Sequence, residues 1–438
     1  MVEVWLVALI IFLGLFLALF LGLPVSFSCG GLAAVSCLFI WGPRGLYSIA
    51  TTAYGEMTIF VFLAVPLFIM MAEVLSFSGI AEDLFDLVYK WMGPFNGGLA
   101  IGTVIICAVF AAMVGVSTAA AATMGLVALP PMLNRGYSKE LVTGTIAAGG
   151  ALGILIPPSV IMIILGHSAE LSIGQLFLGG MVPGLMLTLI FVIYIGVRSF
   201  INPSLAPALP PEERVRWREK LRMLQTLLAP FLLVVGVLGS IYTGICTPTE
   251  MAALGALGAL LWAALAGRLT WANFNHAVKR TGLLTAMILW ITIGAVSFTN
   301  IVTVSGVSGW LHDLIAGLDV NRWVILAGMQ FFFFVLGCCL DPVGIILITT
   351  PIFLPMVVSM GFDPLWFGVL FIINMEMAYV TPPFGFNLFV LRGVVPEDVS
   401  MMDIYKGIVP FVACQAFCLI LMMVFPGLVT WLPQLLIQ

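Results

Sequence analysis

The sequence predicts an all-α polytopic membrane protein with about ten transmembrane helices and two re-entrant hairpins. Three observations carry this prediction. Of 438 residues, 62% are hydrophobic and 8% are charged, a composition that no soluble core needs. Ten segments approach the roughly 20 apolar residues that a bilayer crossing requires. Two proline doublets, Pro157–Pro158 and Pro382–Pro383, interrupt apolar segments at corresponding places in the two halves of the chain.

The predicted crossings follow the apolar segments in chain order. The first of them, from Val4 to Leu23, lacks the basic start of a signal peptide and is too long for its apolar region, so we expect it to be retained. The ten crossings are residues 3–22, 25–41, 57–76, 141–166, 174–198, 226–245, 247–266, 283–303, 365–390 and 407–432.

Two further apolar stretches, residues 99–130 and 325–356, are too long for one crossing. Small or helix-breaking residues interrupt each of them near its middle, in GVSTAAAATMG from Gly115 and in GCCLDPVG from Gly337. We therefore predict two re-entrant hairpins, each with a polar tip.

The distribution of lysine and arginine tests this layout. With the N-terminus outside and both hairpins returning to the side they entered, all but Arg44 and Arg322 of the 16 basic residues fall on the cytoplasmic side. Treating either hairpin as a full crossing would reverse every segment after it and spoil this distribution. The layout places both termini on the outer side.

The two halves are predicted to be inverted repeats. Pro24 and Pro248 open corresponding spans, and Ser117 in the first hairpin corresponds to Asp341 in the second. An odd number of crossings separates equivalent points, so the halves have opposite orientations in the membrane, an arrangement typical of secondary transporters. The predicted units are repeat 1 over residues 1–200 with a broken helix at 141–166, a connector over 201–225, and repeat 2 over 226–438 with a broken helix at 365–390.

The connector carries alternating charges with apolar residues between them. This pattern is typical of an amphipathic helix on the cytoplasmic face. A solvated linker stabilised by ion pairs is an equally good interpretation.

The helix breaks have a predictable chemistry. A proline removes a backbone hydrogen bond, so each doublet opens its helix and exposes backbone that must face protein or a watery cavity. One half-helix then ends in free carbonyls, which attract cations, and the other begins with free amides, which attract anions. Oxygen donors suited to sodium lie at the tips and breaks: Ser117, Thr118, Thr123, Ser159, Asp341, Thr381 and Asn387.

Other kinds of chemistry find no support in the sequence. The eight cysteines contain no CxxC pair and read as small buried hydrophobic residues. Zinc-protease spacings, nucleophile elbows with a partner base, and phosphate-binding glycine loops are missing. We therefore expect no cofactor apart from a coupling ion, and energy from an ion gradient. The net charge of −4 arises from few charged groups and does not point to nucleic acid, so we expect no nucleic-acid partner.

Over essentially its whole length, the chain resembles the large membrane (M) subunit of tripartite ATP-independent periplasmic (TRAP) transporters, the DctM-like family. The most specific marks are GGALGILIPPS from Gly149, the GVSTAAAATMG tip, PTEMAALG from Pro248 and TPPFGFNLFV from Thr381. The resemblance implies an elevator-type transporter of the bacterial or archaeal cytoplasmic (inner) membrane, with scaffold and transport domains and periplasmic termini. It also implies sodium-driven uptake of a small organic anion, usually a carboxylate.

The same resemblance implies partners. These are a periplasmic substrate-binding protein (P subunit) and a small four-span membrane (Q) subunit, expected as a separate polypeptide, within the lipid bilayer. One alternative stays open: a self-sufficient sodium/dicarboxylate symporter of similar architecture that takes its substrate directly from solution. An intramembrane enzyme is a third interpretation, but the sequence positions no base for it.

The resemblance further implies two sodium sites related by the repeat. The first would use Ser117, Thr118, Gly153, Pro157 and Ser159, and the second Gly337, Asp341, Thr381, Pro382 and Asn387. Substrate contacts are expected from Ser117, Asp341, Asn387 and Arg392, although Arg392 also suits an interfacial anchor. The alternative for the hydroxyl groups is that they bond back to the preceding helical turn.

Overall fold

The computed structural model describes residues 3–210, 217–317, 319–338, 340–383 and 385–436. Within these ranges the chain is helical and contains no strand, which confirms the prediction of an all-α polytopic fold. Residues 211–216 of the predicted connector, and Cys339 of the predicted second hairpin, lie outside the described residues. The described end of the connector holds a short helix, α12, over Trp217–Met223.

The remaining helices follow in chain order. In the first half they are α1 Val4–Phe20, α2 Val25–Trp41, α3 Leu46–Met57, α4 Ala64–Phe77, α5 Ile80–Met92, α6 Gly98–Val114, α7 Ser117–Val127, α8 Leu129–Asn134, α9 Lys139–Leu155, α10 Val160–Ser168 and α11 Ile173–Ile201. In the second half they are α13 Leu228–Tyr242, α14 Pro248–Leu265, α15 Trp271–Val304, α16 Val307–Ala316, α17 Arg322–Gly337, α18 Pro342–Ser359, α19 Pro364–Val380, α20 Phe386–Arg392, α21 Met401–Val424 and α22 Gly427–Leu436.

Side-chain caps fix the starts of many helices, because they satisfy backbone amides that the helix cannot. Ser138 caps α9, and Asp363 caps α19. Thr247 and Glu250 form a reciprocal capping box at the start of α14. Glu250 therefore has a structural role at a helix end.

Seven helical stretches of the described chain are long and apolar enough to cross a bilayer, and the α9–α10 pair, bent by 40° at its break, would be an eighth. Several other apolar helices, such as α1, α6, α17 and α19, have 16 or 17 residues. The exact number of crossings therefore stays a prediction. The seven stretches are Val25–Met57, Phe60–Phe77, Ile173–Ile201, Pro248–Leu265, Trp271–Val304, Pro342–Ser359 and Met401–Val424.

The helices form two groups. In the first, the long helix α15 packs along α2, α3 and α4, and α14 packs against α4 and α13. The second group is built around α9 and α19, the two helices that end just before the proline doublets. These two helices pack against each other and against α21. Helices α6 and α7 also pack on α9, and α17 packs on α19. Both α9 and α19 are buried along almost their whole length.

Small residues allow the close packing around α9. A Cβ atom at Gly144 would lie 2.3 Å from the carbonyl oxygen of Gly407 on α21, and one at Gly150 would lie 2.7 Å from the Cβ of Ala121 on α7. Such contacts are typical of membrane helices, where close backbone approach drives association. The repeat boundaries and the division into scaffold and transport domains stay predictions.

Candidate substrate and ion site

The first proline break, residues 156–159, contacts the turn between α6 and α7, which we call the first tip (residues 115–117). The backbone amide of Val160 donates to the carbonyl oxygen of Gly115 over 3.3 Å. Gly115 has φ +67°, and a Cβ atom there would lie 2.6 Å from the carbonyl oxygen of Pro158. This position therefore requires glycine both for its backbone conformation and for the close approach.

The break leaves backbone oxygens without their usual donors. Pro157 and Pro158 have no N–H, so the carbonyls of Gly153 and Ile154 cannot receive the helical bond from four residues ahead. A Cβ atom at Gly153 would lie 3.2 Å from the backbone nitrogen of Ser117. The carbonyl end of α9 thus lies beside the amide end of α7, and the fully buried Ser159 caps α10 by accepting from the amide of Met162.

The second tip, between α17 and α18, lies against the end of α19. A Cβ atom at Gly337 would lie 2.3 Å from the Cβ of Ala378. Asp341 is buried and caps α18, its Oδ2 accepting from the backbone amide of Val343 over 2.9 Å. Thr381 Oγ1 donates to the carbonyl of Met377 over 2.7 Å. This bond to the preceding helical turn is the alternative to ion binding that we expect for hydroxyl groups. The hydroxyl oxygen still has lone pairs that can bind a cation.

A side-chain bond joins the first tip to the second break. Ser117 Oγ donates to Asn387 Oδ1 over 3.0 Å, and Asn387 Nδ2 approaches Ser117 Oγ at 2.7 Å and the carbonyl of Ala147 at 3.3 Å. Both side chains are buried. Asn387, which the sequence groups with the second site, therefore contacts a residue of the first. The helices that follow the breaks also pack against the opposite tips: α20, after the second break, packs on α7, and α10, after the first break, packs on α18.

The first tip, Asp341 and the helix residues that flank the two breaks line a cavity of about 220 Å³ between the two helix groups, which we call the central cavity. Ser117 and Val160, the first residues of α7 and α10, lie at its wall, as do Asp341 and Val343 at the start of α18, so three helix N-termini converge on it. The side that belongs to α15 contributes Arg280 and three apolar residues. Ser117, Thr118, Val160, Arg280, Asp341 and Tyr379 are among the residues that line it.

A second cavity of about 460 Å³ adjoins the central cavity, sharing Met287, Asp341 and Phe386 with it. The break residue Pro383 lies at its wall, together with residues of α1 and the α1–α2 turn. Asp341 therefore lies between the two cavities.

Arg280 and Tyr379 were missed by the sequence reasoning. In the sequence, Arg280 is one of many basic residues predicted on the cytoplasmic side. In the structure its guanidinium lies 3.9 Å from Glu73 on α4, and the residue lines the central cavity. No sequence pattern marks it, because its place depends on where α15 crosses α4. Its side chain is 59% exposed and belongs to the cavity wall.

Arg392 lies apart from this arrangement. It ends α20, is exposed, and donates a hydrogen bond to the carbonyl oxygen of Val399. Neither of the two cavities, as the described residues define them, has Arg392 in its wall. The structure thus brings together Ser117, Thr118, Gly153, Ser159, Asp341 and Asn387, and the roles of all predicted site residues as ligands stay predictions.

Comparison with known proteins matches residues 12–428 to the family described as the tripartite ATP-independent periplasmic transporter, DctM component. The chain is 32% identical over 437 residues to the C4-dicarboxylate TRAP transporter large permease protein DctM of Vibrio cholerae, covering 95% of each chain. It is also 32% identical over 419 residues to the isethionate TRAP transporter permease protein DctMQ of Oleidesulfovibrio alaskensis, covering 94% of this chain and 64% of that one.

The fold is similar to a solved structure. The Alcanivorax borkumensis YdaH transporter, whose crystal structure is described as having an unusual topology, superimposes with a TM-score of 0.64. The match covers 93% of this chain and 98% of the other, at 15% sequence identity. At that identity the similarity concerns the fold.

Proposed function

Because the chain belongs to the DctM family of tripartite ATP-independent periplasmic transporters, as a large permease of the inner membrane, we propose that it carries a small organic anion inward, driven by a sodium gradient. The chain is a multi-pass transporter subunit, and the substrate, the coupling ion and the direction of transport are the proposed parts. The relatives described above are named for C4-dicarboxylates and for isethionate, and both names denote small organic anions.

The convergence of three helix N-termini on the central cavity supports an anionic substrate most directly. Moving an anion into an apolar body without compensation is costly. Each helix N-terminus contributes roughly half a positive charge, and residues at the starts of α7, α10 and α18 lie at the cavity wall. Arg280, which lies 3.9 Å from Glu73, adds a positively charged side chain on the opposite wall.

Asp341 gives a reason for coupling the anion to a cation. Its carboxyl group lines the same cavity as Arg280 and the helix N-termini, so in its ionised form it would repel an anionic substrate. A sodium ion near Asp341 would neutralise this charge and thereby favour the anion, which is a positive coupling between the two ligands. The carbonyls freed by the prolines, at Gly153 and Ile154 in the first break, are oxygen donors of the kind that such an ion binds.

The family also implies that the protein works with a small membrane subunit and a periplasmic binding protein. The combined name of the DctMQ relative, and its greater length, support a small-subunit partner.

Uptake by the complete transporter in proteoliposomes tests this function. Labelled C4-dicarboxylates, isethionate and an uncharged analogue would be offered with and without the binding protein, and with and without an inward sodium gradient. We expect accumulation of an anion that requires both the binding protein and sodium. Uptake that needs sodium but no binding protein would instead support the self-sufficient symporter, and uptake of the uncharged analogue alone would contradict the proposed substrate class.

A further inference from the structure

A buried carboxylic acid and a buried amide face each other in the core of the second helix group. Glu376 on α19 and Gln415 on α21 are both completely buried. The amide nitrogen Nε2 of Gln415 donates to Oε1 of Glu376 over 3.4 Å. Neither residue lines the central cavity. Glu376 comes five residues before Thr381 at the second break.

The other two oxygen atoms of this pair have no hydrogen-bond partner. Oε2 of Glu376 and Oε1 of Gln415 are both buried and unsatisfied. In the part of the chain that the structure describes, no lysine, arginine or histidine forms an ion pair with Glu376. An ionised carboxylate in an apolar membrane core with a single long hydrogen bond is strongly disfavoured.

One proton removes both deficits. A protonated Glu376 has an O–H donor, and Gln415 Oε1 is a buried acceptor without a partner on the side chain that already contacts Glu376. We infer that Glu376 is a proton-binding site, held as the neutral acid in a two-hydrogen-bond pair with Gln415. The conclusion is the same if the nitrogen and oxygen of the Gln415 amide are exchanged. The amide oxygen would then lie next to Oε1 of Glu376, and two oxygen atoms can form a hydrogen bond only if one of them carries a proton.

The neutral pair would have a positioning role. It joins α19, which ends at the second break, to α21 without placing a net charge in the membrane. A fully satisfied buried polar pair fixes the relative position of two helices, so the pair would hold the end of α19 in register with the second tip. A bound cation between the two oxygens is the competing interpretation, and it requires the negative charge of Glu376.

The isosteric variant Glu376→Gln separates the two interpretations, since it keeps both hydrogen bonds but removes the acid. In the complete transporter we expect uptake and sodium dependence within about twofold of the wild type, as for other shape-conserving core substitutions. Glu376→Leu, which leaves the Gln415 amide unpaired, should lower the melting temperature and the uptake. A folded Glu376→Gln variant that has lost uptake would overturn the inference.

Infrared spectroscopy of the purified protein gives a readout that does not depend on transport. We expect the wild type at neutral pH to show the carbonyl absorption of a protonated carboxylic acid, and the difference spectrum against Glu376→Gln to assign it to this residue. A difference spectrum with carboxylate bands in place of the protonated-acid band would show an ionised Glu376 and overturn the proposal.

Discussion

Replacing Gly115 with alanine should push the first tip away from the first break. The added methyl group would lie 2.6 Å from the carbonyl oxygen of Pro158 and 3.2 Å from its carbonyl carbon, whereas ordinary contacts begin near 3.4 Å. Both atoms belong to the backbone, so the tip and the break must separate by several tenths of an ångström. The hydrogen bond from Val160 to Gly115 would lengthen with them.

Two free-energy costs act in the Gly115→Ala variant, and the control variant Gly136→Ala separates them. The left-handed backbone costs a non-glycine residue about 1–2 kcal/mol, and overpacking a close contact costs about 1–3 kcal/mol more. Gly136 has φ +78°, and a Cβ atom added there would have no neighbour within 4 Å. Gly136→Ala therefore carries the first cost without the second.

The assay is the sodium dependence of uptake by the complete transporter in proteoliposomes. If the tip and the break together bind sodium, a loss of about 1–3 kcal/mol raises the half-saturating sodium concentration by about 5–150-fold in Gly115→Ala. Gly136→Ala should retain the wild-type value. Equal sodium dependence in the two variants would refute the assignment of an ion site to this contact.

Three further predictions concern the same region. Arg280→Gln should raise the half-saturating anion concentration about tenfold, equivalent to about 1.4 kcal/mol, whereas Lys279→Gln, exposed and outside the cavity wall, should not; equal effects would contradict a specific role. Ser117→Ala should lower stability by about 1–3 kcal/mol because Asn387 loses its hydrogen bonds to Ser117 and keeps the 3.3 Å contact with the carbonyl of Ala147. Thermal unfolding should show that the double variant with Asn387→Leu loses less stability than the sum of the two single variants; strict additivity would contradict the pairing. Thr381→Ser should keep the sodium dependence of uptake that Thr381→Val weakens, and identical kinetics in both would exclude the hydroxyl as a ligand.

The breaks and tips could be predicted from the sequence because their causes are local. Proline cannot supply an amide hydrogen, so α9 ends at Leu155, just before Pro157, and α19 ends at Val380, just before Pro382. The first tip likewise falls at Gly115, where α6 ends. These features depend on one or two residues each.

Helix lengths were harder to predict because hydropathy marks the part of a helix suited to a bilayer. The predicted crossing 283–303 is part of α15, which begins twelve residues earlier at Trp271 and includes the polar segment NFNHAVKR. Thr270 caps this helix, and nothing in the polar segment ends it. A helix can therefore extend beyond the apolar segment in either direction.

The partners of the site residues could not be predicted, since they depend on how distant helices pack. Ser117 and Asn387 are 270 positions apart, and their hydrogen bond requires α20 to lie on α7. Arg280 reaches the central cavity because α15 crosses beside α4. Sequence reasoning supplied the residue types for an ion and anion site, and the tertiary structure determined which of them meet.

In the proposed function, an inward sodium gradient drives an organic anion through the central cavity. The most direct test is labelled anion uptake by the complete transporter in proteoliposomes, with its binding protein supplied, before and after a sodium ionophore collapses the gradient. We expect the anion to accumulate above its external concentration and this accumulation to be lost when the gradient collapses. Accumulation that persists without a sodium gradient would contradict it.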